Sequence, residues 1–123
     1  MRDYAKYEVW VDSMNLVTDI YKITKRFPED EKSGITNQMR RCAVPVPSNI
    51  AEGAGRSSEK DFKRFLEIAM ASSFGLKTQV LICRNLDYID SEMAKNMELI
   101  IDKVSKQLNG FIKKLKANIN SLI

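Results

Sequence analysis

Two prolines, Pro45 and Pro47, stand two residues apart in a stretch whose apolar residues otherwise recur with helical spacing. Each proline lacks a backbone N–H, and its ring crowds the carbonyl four residues earlier, at a cost of about 3 kcal/mol in a helix interior. The sequence therefore predicts a helix that is kinked or broken near Pro45 and Pro47. Small residues follow, among them Ser48, Gly53 and Gly55, so a neighbouring helix can approach this segment closely.

Two continuations are compatible with this segment. One kinked helix can persist to about Ala54, because Val46, Ile50 and Ala54 keep helical spacing. Alternatively, Pro47 and Ser48 can open a new turn, because proline is tolerated at the start of a helix. In the first case, Gly53 and Gly55 are expected to supply the left-handed or open backbone geometry of a helix end.

The rest of the chain also reads as long helices, because five glycines and three prolines leave few turns in 123 residues. We predict one domain, residues 1–123, with helices at about 4–26, 34–54, 59–85 and 90–121. Ser58, with an acid three residues on, is expected to cap the third helix, and Asp90 or Ser91 the fourth. Short connections and no strand pattern predict an all-α fold, an antiparallel up-down-up-down four-helix bundle.

Apolar stripes with a period of three to four residues predict which face of each helix is buried. For the first helix the stripe is Val9, Trp10, Met14, Val17, Ile20, Tyr21 and Thr24. For the third it is Phe62, Phe65, Leu66, Ala69, Ser73, Leu76, Val80 and Cys83. The fourth carries Met93, Met97, Ile100, Ile101, Val104, Leu108, Phe111, Ile112, Leu115, Ile119 and Leu122, a stripe wide enough to favour self-association.

Composition narrows the class of protein. The 44% of hydrophobic and 29% of charged residues are typical of a globular domain. No run approaches the roughly 18 consecutive apolar residues of a membrane span, and no signal-peptide pattern is present, so we expect a cytoplasmic protein without a membrane contact. Cys42 and Cys83 are then expected to be reduced, buried thiols.

Charge is unevenly distributed along the chain. No acidic residue follows Asp102, whereas the same segment holds five lysines: Lys103, Lys106, Lys113, Lys114 and Lys116. The net charge of +4 therefore leaves the first 102 residues at −1. Lysines at a helix C-terminus offset the helix dipole, which is one explanation; a basic face for nucleic acid or an acidic partner is the other.

A second basic group is predicted around one end of the bundle, and its members are Arg40, Arg41, Arg56, Lys60, Lys63 and Arg64. Within it, the run from Gly53 to Ser58 is a candidate anion site, because glycines free the backbone before a helix N-terminus. The same run is also an ordinary helix–helix turn. Most aromatic residues fall on core stripes, so any nucleic-acid binding is expected to rest on phosphate contacts and to be salt-sensitive.

Catalytic chemistry finds little support in this sequence. The chain has no histidine, which removes the most common general base and the most common zinc ligand. Glu52, with Asn49 one turn earlier, is interpreted as part of a buried polar pair, or as a hydrogen-bonded partner for Arg41 or a neighbouring helix end, rather than as a catalytic carboxylate. We therefore expect no enzyme activity, no cofactor, no metal site and no small-molecule substrate.

A family resemblance rests on long motifs. The chain has Arg40-Arg41-x-Ala43-Val44-x-Val46-Pro47-Ser48-Asn49-Ile50-Ala51-Glu52-Gly53, followed by Gly55-Arg56 and Phe62-x-x-Phe65-Leu66. Glu8-Val9-Trp10 and Leu86-Asp87-Tyr88-Ile89 also agree. In these motifs it resembles the four-helix-bundle family encoded within intervening sequences of bacterial 23S ribosomal RNA genes.

The resemblance implies an antiparallel four-helix bundle that assembles into a ring of five. It also implies kinship with the accessory variability determinant of diversity-generating retroelements, a basic pentamer that works with reverse transcriptase and nucleic acid. It carries over no catalytic residue. The chain departs from the family pattern at Pro45, where a small polar residue is usual, and at Gly75, where an acid is expected.

Together, these observations give two functional hypotheses. The first is a non-enzymatic homo-oligomer, a pentamer by resemblance, that binds RNA or a ribonucleoprotein through basic surface. The rival hypothesis is a protein–protein adaptor or scaffold without direct nucleic-acid contact. The residues Pro45, Pro47, Ser48, Asn49, Glu52, Gly53 and Gly55 are assigned to structure rather than to binding.

Overall fold

The computed structural model describes residues 2–121, and within that range every regular element is helical. The α-helices are α1 (Glu8–Thr24), α2 (Ile35–Ala43), α3 (Pro45–Ala54), α4 (Glu59–Asn85) and α5 (Ser91–Ser121). Short 3₁₀ turns occupy Tyr4–Lys6 and Glu29–Glu31. The predicted all-helical class is confirmed; Leu122, predicted to belong to the last apolar stripe, lies outside the described residues.

Side-chain caps begin the two long helices. The Ser58 hydroxyl accepts a hydrogen bond from the Asp61 amide at 3.1 Å, and Asp90 Oδ1 accepts one from the Met93 amide at 2.7 Å. These bonds satisfy amides that have no partner inside the helix. Asp87, between α4 and α5, has a positive φ of 60° and turns the chain at the predicted position.

The core forms where the helices meet along α4, which packs against α2, α3 and α5. The eight buried residues of α4 are those of the stripe predicted for the third helix, and that stripe is therefore confirmed. Two buried hydroxyls, Ser73 on α4 and Ser105 on α5, lie 2.8 Å apart and satisfy each other. The Lys77 ammonium donates to Asp102 Oδ1 at 2.8 Å, which joins α4 to α5 and raises the pKa of Lys77.

The buried face of α1 differs from the predicted stripe. Ser13 and Leu16 are fully buried, whereas Met14 and Tyr21, both assigned to the core, are exposed. Ser13 can lie inside because its hydroxyl donates to the Trp10 carbonyl at 2.8 Å, so no polar group is left unpaired.

Aromatic contacts mark the two ends of the bundle. At one, which we call the Phe62 end, the ring centroids of Tyr7 and Phe111 lie 6.4 and 5.2 Å from that of Phe62. At the other, the Tyr88 end, the Phe27 and Tyr88 centroids are 5.4 Å apart. The Tyr88 hydroxyl donates to Glu31 Oε2 at 2.7 Å, and this bond raises the pKa of Tyr88 to about 12.

The α4 helix is long and apolar enough, by length and composition alone, to cross a membrane. Core helices of soluble proteins pass the same test. Its inner face is buried against α2, α3 and α5, and its outer face also carries apolar side chains, which explains the high apolar content.

Candidate nucleic-acid interface

Arginines gather at the Phe62 end. The guanidinium carbons of Arg56 and Arg64 each lie 4.8 Å from the centroid of the Phe65 ring. Arg2 lies 4.7 Å from the Phe62 centroid and donates to the Ala54 and Arg56 carbonyls at 3.2 and 2.6 Å. Stacking on an aromatic ring holds a guanidinium in place while its charge remains available.

Sequence reasoning missed Arg2, because the contact that places it spans more than fifty residues. Two other predicted members of this group lie on the first turns of α4. Lys60 is exposed, whereas Lys63 is half-buried and lies 3.3 Å from Glu67, so part of its charge is compensated.

Arg40 does not belong to this cluster. Its Nε donates to the Thr24 hydroxyl at 2.9 Å, and its guanidinium lies 4.5 Å from the Tyr21 ring. Thr24 ends α1, about 25 Å along the helix from the end near Arg2. The prediction that Arg40 and its neighbour Arg41 join Arg56 at one end is therefore wrong: a long-range hydrogen bond holds α2 beside the opposite end of α1.

The C-terminal lysines divide into two groups. The Lys103 ammonium lies 3.2 Å from Asp12 Oδ2 and 3.6 Å from Glu8 Oε1, and the hydrogen bond to Asp12 raises its pKa. Its charge therefore joins α5 to α1. The other four are exposed, with no carboxylate in ion-pair contact among residues 2–121: Lys106, Lys113, Lys114 and Lys116.

Lys114 links the two basic groups in space. It borders a surface groove together with Tyr7 and Phe111, the residues that contact Phe62. Lys114 and the stacked arginines Arg56 and Arg64 are thus found at the same end of the molecule, whereas Lys106 lies beside Met70 and Ser105, away from that end. The sequence predicted both groups but did not indicate that they share an end.

The proline segment has a structural role. Pro47 is buried and Pro45 half-buried. The Ser48 hydroxyl donates to the Val44 carbonyl at 2.9 Å, and Asn49 Nδ2 donates to the Pro45 carbonyl at 2.8 Å. Side chains thus add hydrogen bonds to the first carbonyls of α3, while the N–H groups that Pro45 and Pro47 lack would have bonded to the Arg41 and Ala43 carbonyls.

Two predictions for this segment, one about Glu52 and one about the glycines, differ from the structure. Glu52 is exposed and Asn49 bonds to the backbone, so the predicted buried Asn49–Glu52 pair does not form. Gly55 has φ −80°, and no described glycine has a positive φ, so the left-handed alternative predicted for this helix end does not occur. Gly53 is instead a contact point, because a Cβ placed there would lie 2.7 Å from Phe65 Cβ.

Both cysteines are free. Cys83 is buried, as predicted, and burial raises the pKa of its thiol to about 11. Cys42 is only half-buried, and its Sγ accepts a hydrogen bond from Gln79 Nε2 at 3.3 Å. Residues 2–121 contain no group of three or more Cys, Asp or Glu side chains placed to hold a metal ion.

These features define a class: an all-helical bundle with a basic end. The chain belongs to the 23S rRNA-intervening sequence protein family, whose model matches residues 5–110. It is similar to the crystal structure of a protein of unknown function from the S23 ribosomal protein family of Bacteroides thetaiotaomicron, at a TM-score of 0.80 and 22% identity. That match covers 85% of this chain and 98% of the other, and it shows a shared fold. No curated protein matches the chain.

Proposed function

We propose that this protein is a non-enzymatic, homo-oligomeric bundle that binds RNA or a ribonucleoprotein through the basic surface of its Phe62 end. The observation that carries the proposal is that two cationic groups lie at this end: the stacked arginines Arg56 and Arg64, and the exposed Lys114 with its neighbours in sequence Lys113 and Lys116.

This arrangement suits phosphate recognition. Each Lys or Arg that meets a phosphate releases bound counterions from the nucleic acid, so affinity falls as salt rises. Arg56 and Arg64 are held by the Phe65 ring, and a guanidinium fixed in this way loses little side-chain entropy when it binds a phosphate. Binding of this kind follows the shape of a folded RNA more than its base sequence.

We infer the up-down-up-down topology from the contacts at the two ends. Tyr7, just before α1, stacks on Phe62 near the start of α4, while Phe27 and Tyr88 meet just after α1 and α4. Helices that begin together and end together run parallel. Phe111 of α5 returns to Phe62, which supports an antiparallel α4–α5 pair.

We further infer that α2 and α3 form one kinked helix rather than two separate ones. Val44, between them, has right-handed helical φ and ψ of −57° and −41°. Its amide donates to the Arg40 carbonyl at 3.1 Å, and the Ser48 amide donates to the Val44 carbonyl at 3.3 Å. The helical path therefore continues from α2 into α3 although Pro45 and Pro47 each leave out one backbone hydrogen bond.

The test of RNA binding is a titration of a labelled structured RNA, followed by fluorescence anisotropy at several salt concentrations. A plot of log affinity against log salt should have a slope of several units. Changing Lys113, Lys114 and Lys116 to glutamine should reduce that slope by about 2 units, since each phosphate contact contributes roughly 0.7 to 0.9.

The control removes the same charge elsewhere. Lys22, Lys25 and Lys95 are also exposed, and none of the three lies at the Phe62 end, so their change to glutamine should leave the slope unchanged. No binding at low salt would refute an RNA partner and favour the adaptor hypothesis. Equal losses in both triple variants would show that only net charge matters.

We propose that self-association uses the outer face of α4. There the exposed residues recur every three or four positions: Ile68, Ala71, Phe74, Thr78 and Ile82. The one charged residue between Ile68 and Ile82 is Lys77, and it is already bonded to Asp102. A helix that is apolar on both faces is usually covered on both. The resemblance to the family implies a ring of five.

The oligomer is tested by light scattering at micromolar concentration. The wild-type protein should have several times the 14.1 kDa mass of one chain. Phe74, 54% exposed, is the most exposed large apolar residue of this face, so Phe74→Lys should lower the mass. Leu99, on α5 and 60% exposed, gives the matched control, because Leu99→Lys adds the same charge off the face. A monomeric wild-type protein would refute self-association.

The remaining parts of the proposal concern chemistry and compartment. A chain without histidine, whose described residues form no metal-binding group, offers little to an enzymatic mechanism, a metal or a cofactor. The free cysteines are compatible with a reducing cytoplasm.

A further inference from the structure

We propose that the Phe62 end also holds a pocket for one unpaired base of the bound RNA. The inference rests on the proposed RNA binding and adds a second mode of recognition to it. The pocket is a groove of about 440 Å³ between the start of α1 and the C-terminal half of α5, which we call the Gly110 groove. Its walls are Tyr7, Val9, Gln107, Gly110, Phe111 and Lys114, with Glu8 at the rim.

Gly110 has no packing reason to be glycine. It lies in the interior of α5, where glycine costs about 1 kcal/mol relative to alanine. A Cβ placed there would meet no described atom within 4 Å. Gly53, in contrast, is required by the close approach of α3 to α4. The missing side chain at Gly110 widens the groove and exposes its walls.

Gln107 lines the groove, and its side-chain carbonyl lacks a hydrogen-bond donor in the part of the chain that the structure describes. Its Nε2 donates to Asp12 Oδ2 at 3.0 Å, and a carboxylate can only accept, so the orientation of the amide is fixed. The Oε1 atom is buried and has no hydrogen-bond partner within residues 2–121. A buried carbonyl without a donor costs free energy, and a ligand N–H that displaces the atoms covering Oε1 would recover it. The exocyclic amino groups of adenine, cytosine and guanine are such donors.

The two rings of the groove suit a flat, aromatic ligand. Tyr7 and Phe111 are half-buried and meet edge to face, with centroids 5.1 Å apart, so each ring keeps part of its surface at the groove. Unpaired RNA bases are commonly recognised by stacking on such rings together with hydrogen bonds to their edges. The sequence suggested no stacking platform, because Phe111 lay on a core stripe and Tyr7 lay outside every stripe.

Charge at the rim matches a nucleotide better than a neutral aromatic molecule. Lys114 borders the groove and is exposed, so it can meet the phosphate attached to a bound base. The negative charge of Glu8 is partly offset by Lys103 at 3.6 Å. Because Lys113 and Lys116 are close in sequence, the backbone of the same RNA can continue over the basic surface.

The test compares two RNA hairpins that differ in one base. In one, 2-aminopurine, which has an exocyclic amino group, is bulged; in the other it is paired with uracil. The protein should bind the bulged hairpin about tenfold more tightly, the effect expected of one base stacked on aromatic side chains. The 2-aminopurine fluorescence should change on binding only in the bulged hairpin.

Two variants separate the groove from the basic surface. Gly110→Leu fills the groove, and Gln107→Met removes the acceptor at similar size; each should abolish the tenfold preference and leave binding of the paired hairpin unchanged. Asn96→Leu adds the same side chain at an exposed position near the start of α5, far from the groove, and should have no effect. Circular dichroism verifies that each variant is folded.

The outcomes distinguish the two proposals. If both hairpins bind equally well and with a steep salt dependence, the base pocket is refuted while RNA binding stands. If Gly110→Leu and Gln107→Met both keep the preference, the base binds elsewhere and the assignment to this groove is refuted. If neither hairpin binds at low salt, both the pocket and the proposed RNA binding are refuted.

Discussion

Replacing Phe62 with alanine is expected to lower the free energy of unfolding by about 4 kcal/mol, the typical cost of removing a fully buried phenyl ring. Phe62 has no solvent exposure. Its ring contacts those of Tyr7 and Phe111 and carries the Arg2 guanidinium at 4.7 Å. The substitution therefore creates a cavity where three parts of the chain meet, and it removes aromatic and cation–π contacts as well.

Chemical denaturation at fixed protein concentration measures this loss; the concentration is fixed because self-association would contribute to stability. Phe62→Leu should cost less than the alanine variant, because leucine refills part of the volume. Leu99→Ala truncates a side chain that is 60% exposed and should change stability by less than about 0.5 kcal/mol. A Phe62→Ala protein within 1 kcal/mol of wild type would contradict the packing described at this end.

The buried face of a helix was predictable where hydrophobic periodicity alone determined it. All eight buried residues of α4 lie on the predicted stripe, because its inner face meets neighbours along its whole length. For α1 the rule failed. Ser13 is buried because it can bond to its own helix, while Met14 and Tyr21 face outward. Hydropathy alone ranks serine below methionine and does not register that a local hydrogen bond can satisfy its hydroxyl.

The basic surface was predictable in composition but not in geometry. Lysines after Asp102 could be counted from the sequence, and four of them are exposed. Whether a cation is free to bind a ligand depends on residues far away in the chain. Lys103 forms ion pairs with Asp12 and Glu8, and Arg40 donates a hydrogen bond to Thr24. No local pattern encodes those pairs, which explains why Arg40 was assigned to the wrong end.

Gly53→Ala is expected to destabilise the protein by about 2 kcal/mol, although alanine is the better helix former. The new Cβ would lie 2.7 Å from Phe65 Cβ and 2.9 Å from Phe62 Cδ1. Phe65 Cβ is attached directly to the backbone of α4, so the helices themselves must separate to make room. Overpacking of this kind typically costs 1 to 3 kcal/mol, which exceeds the gain in helix propensity.

Gly75 provides the matched control, since it is also a helical glycine beside another helix. A Cβ at Gly75 would lie 3.5 Å from Cys42 Sγ, an ordinary van der Waals distance. Gly75→Ala should therefore raise stability by up to about 1 kcal/mol, through helix propensity alone. Denaturation midpoints that shift in opposite directions would establish Gly53 as the point where α3 contacts α4. Equal shifts in the two variants would mean that helix propensity, and not the distance between helices, decides the outcome at both positions.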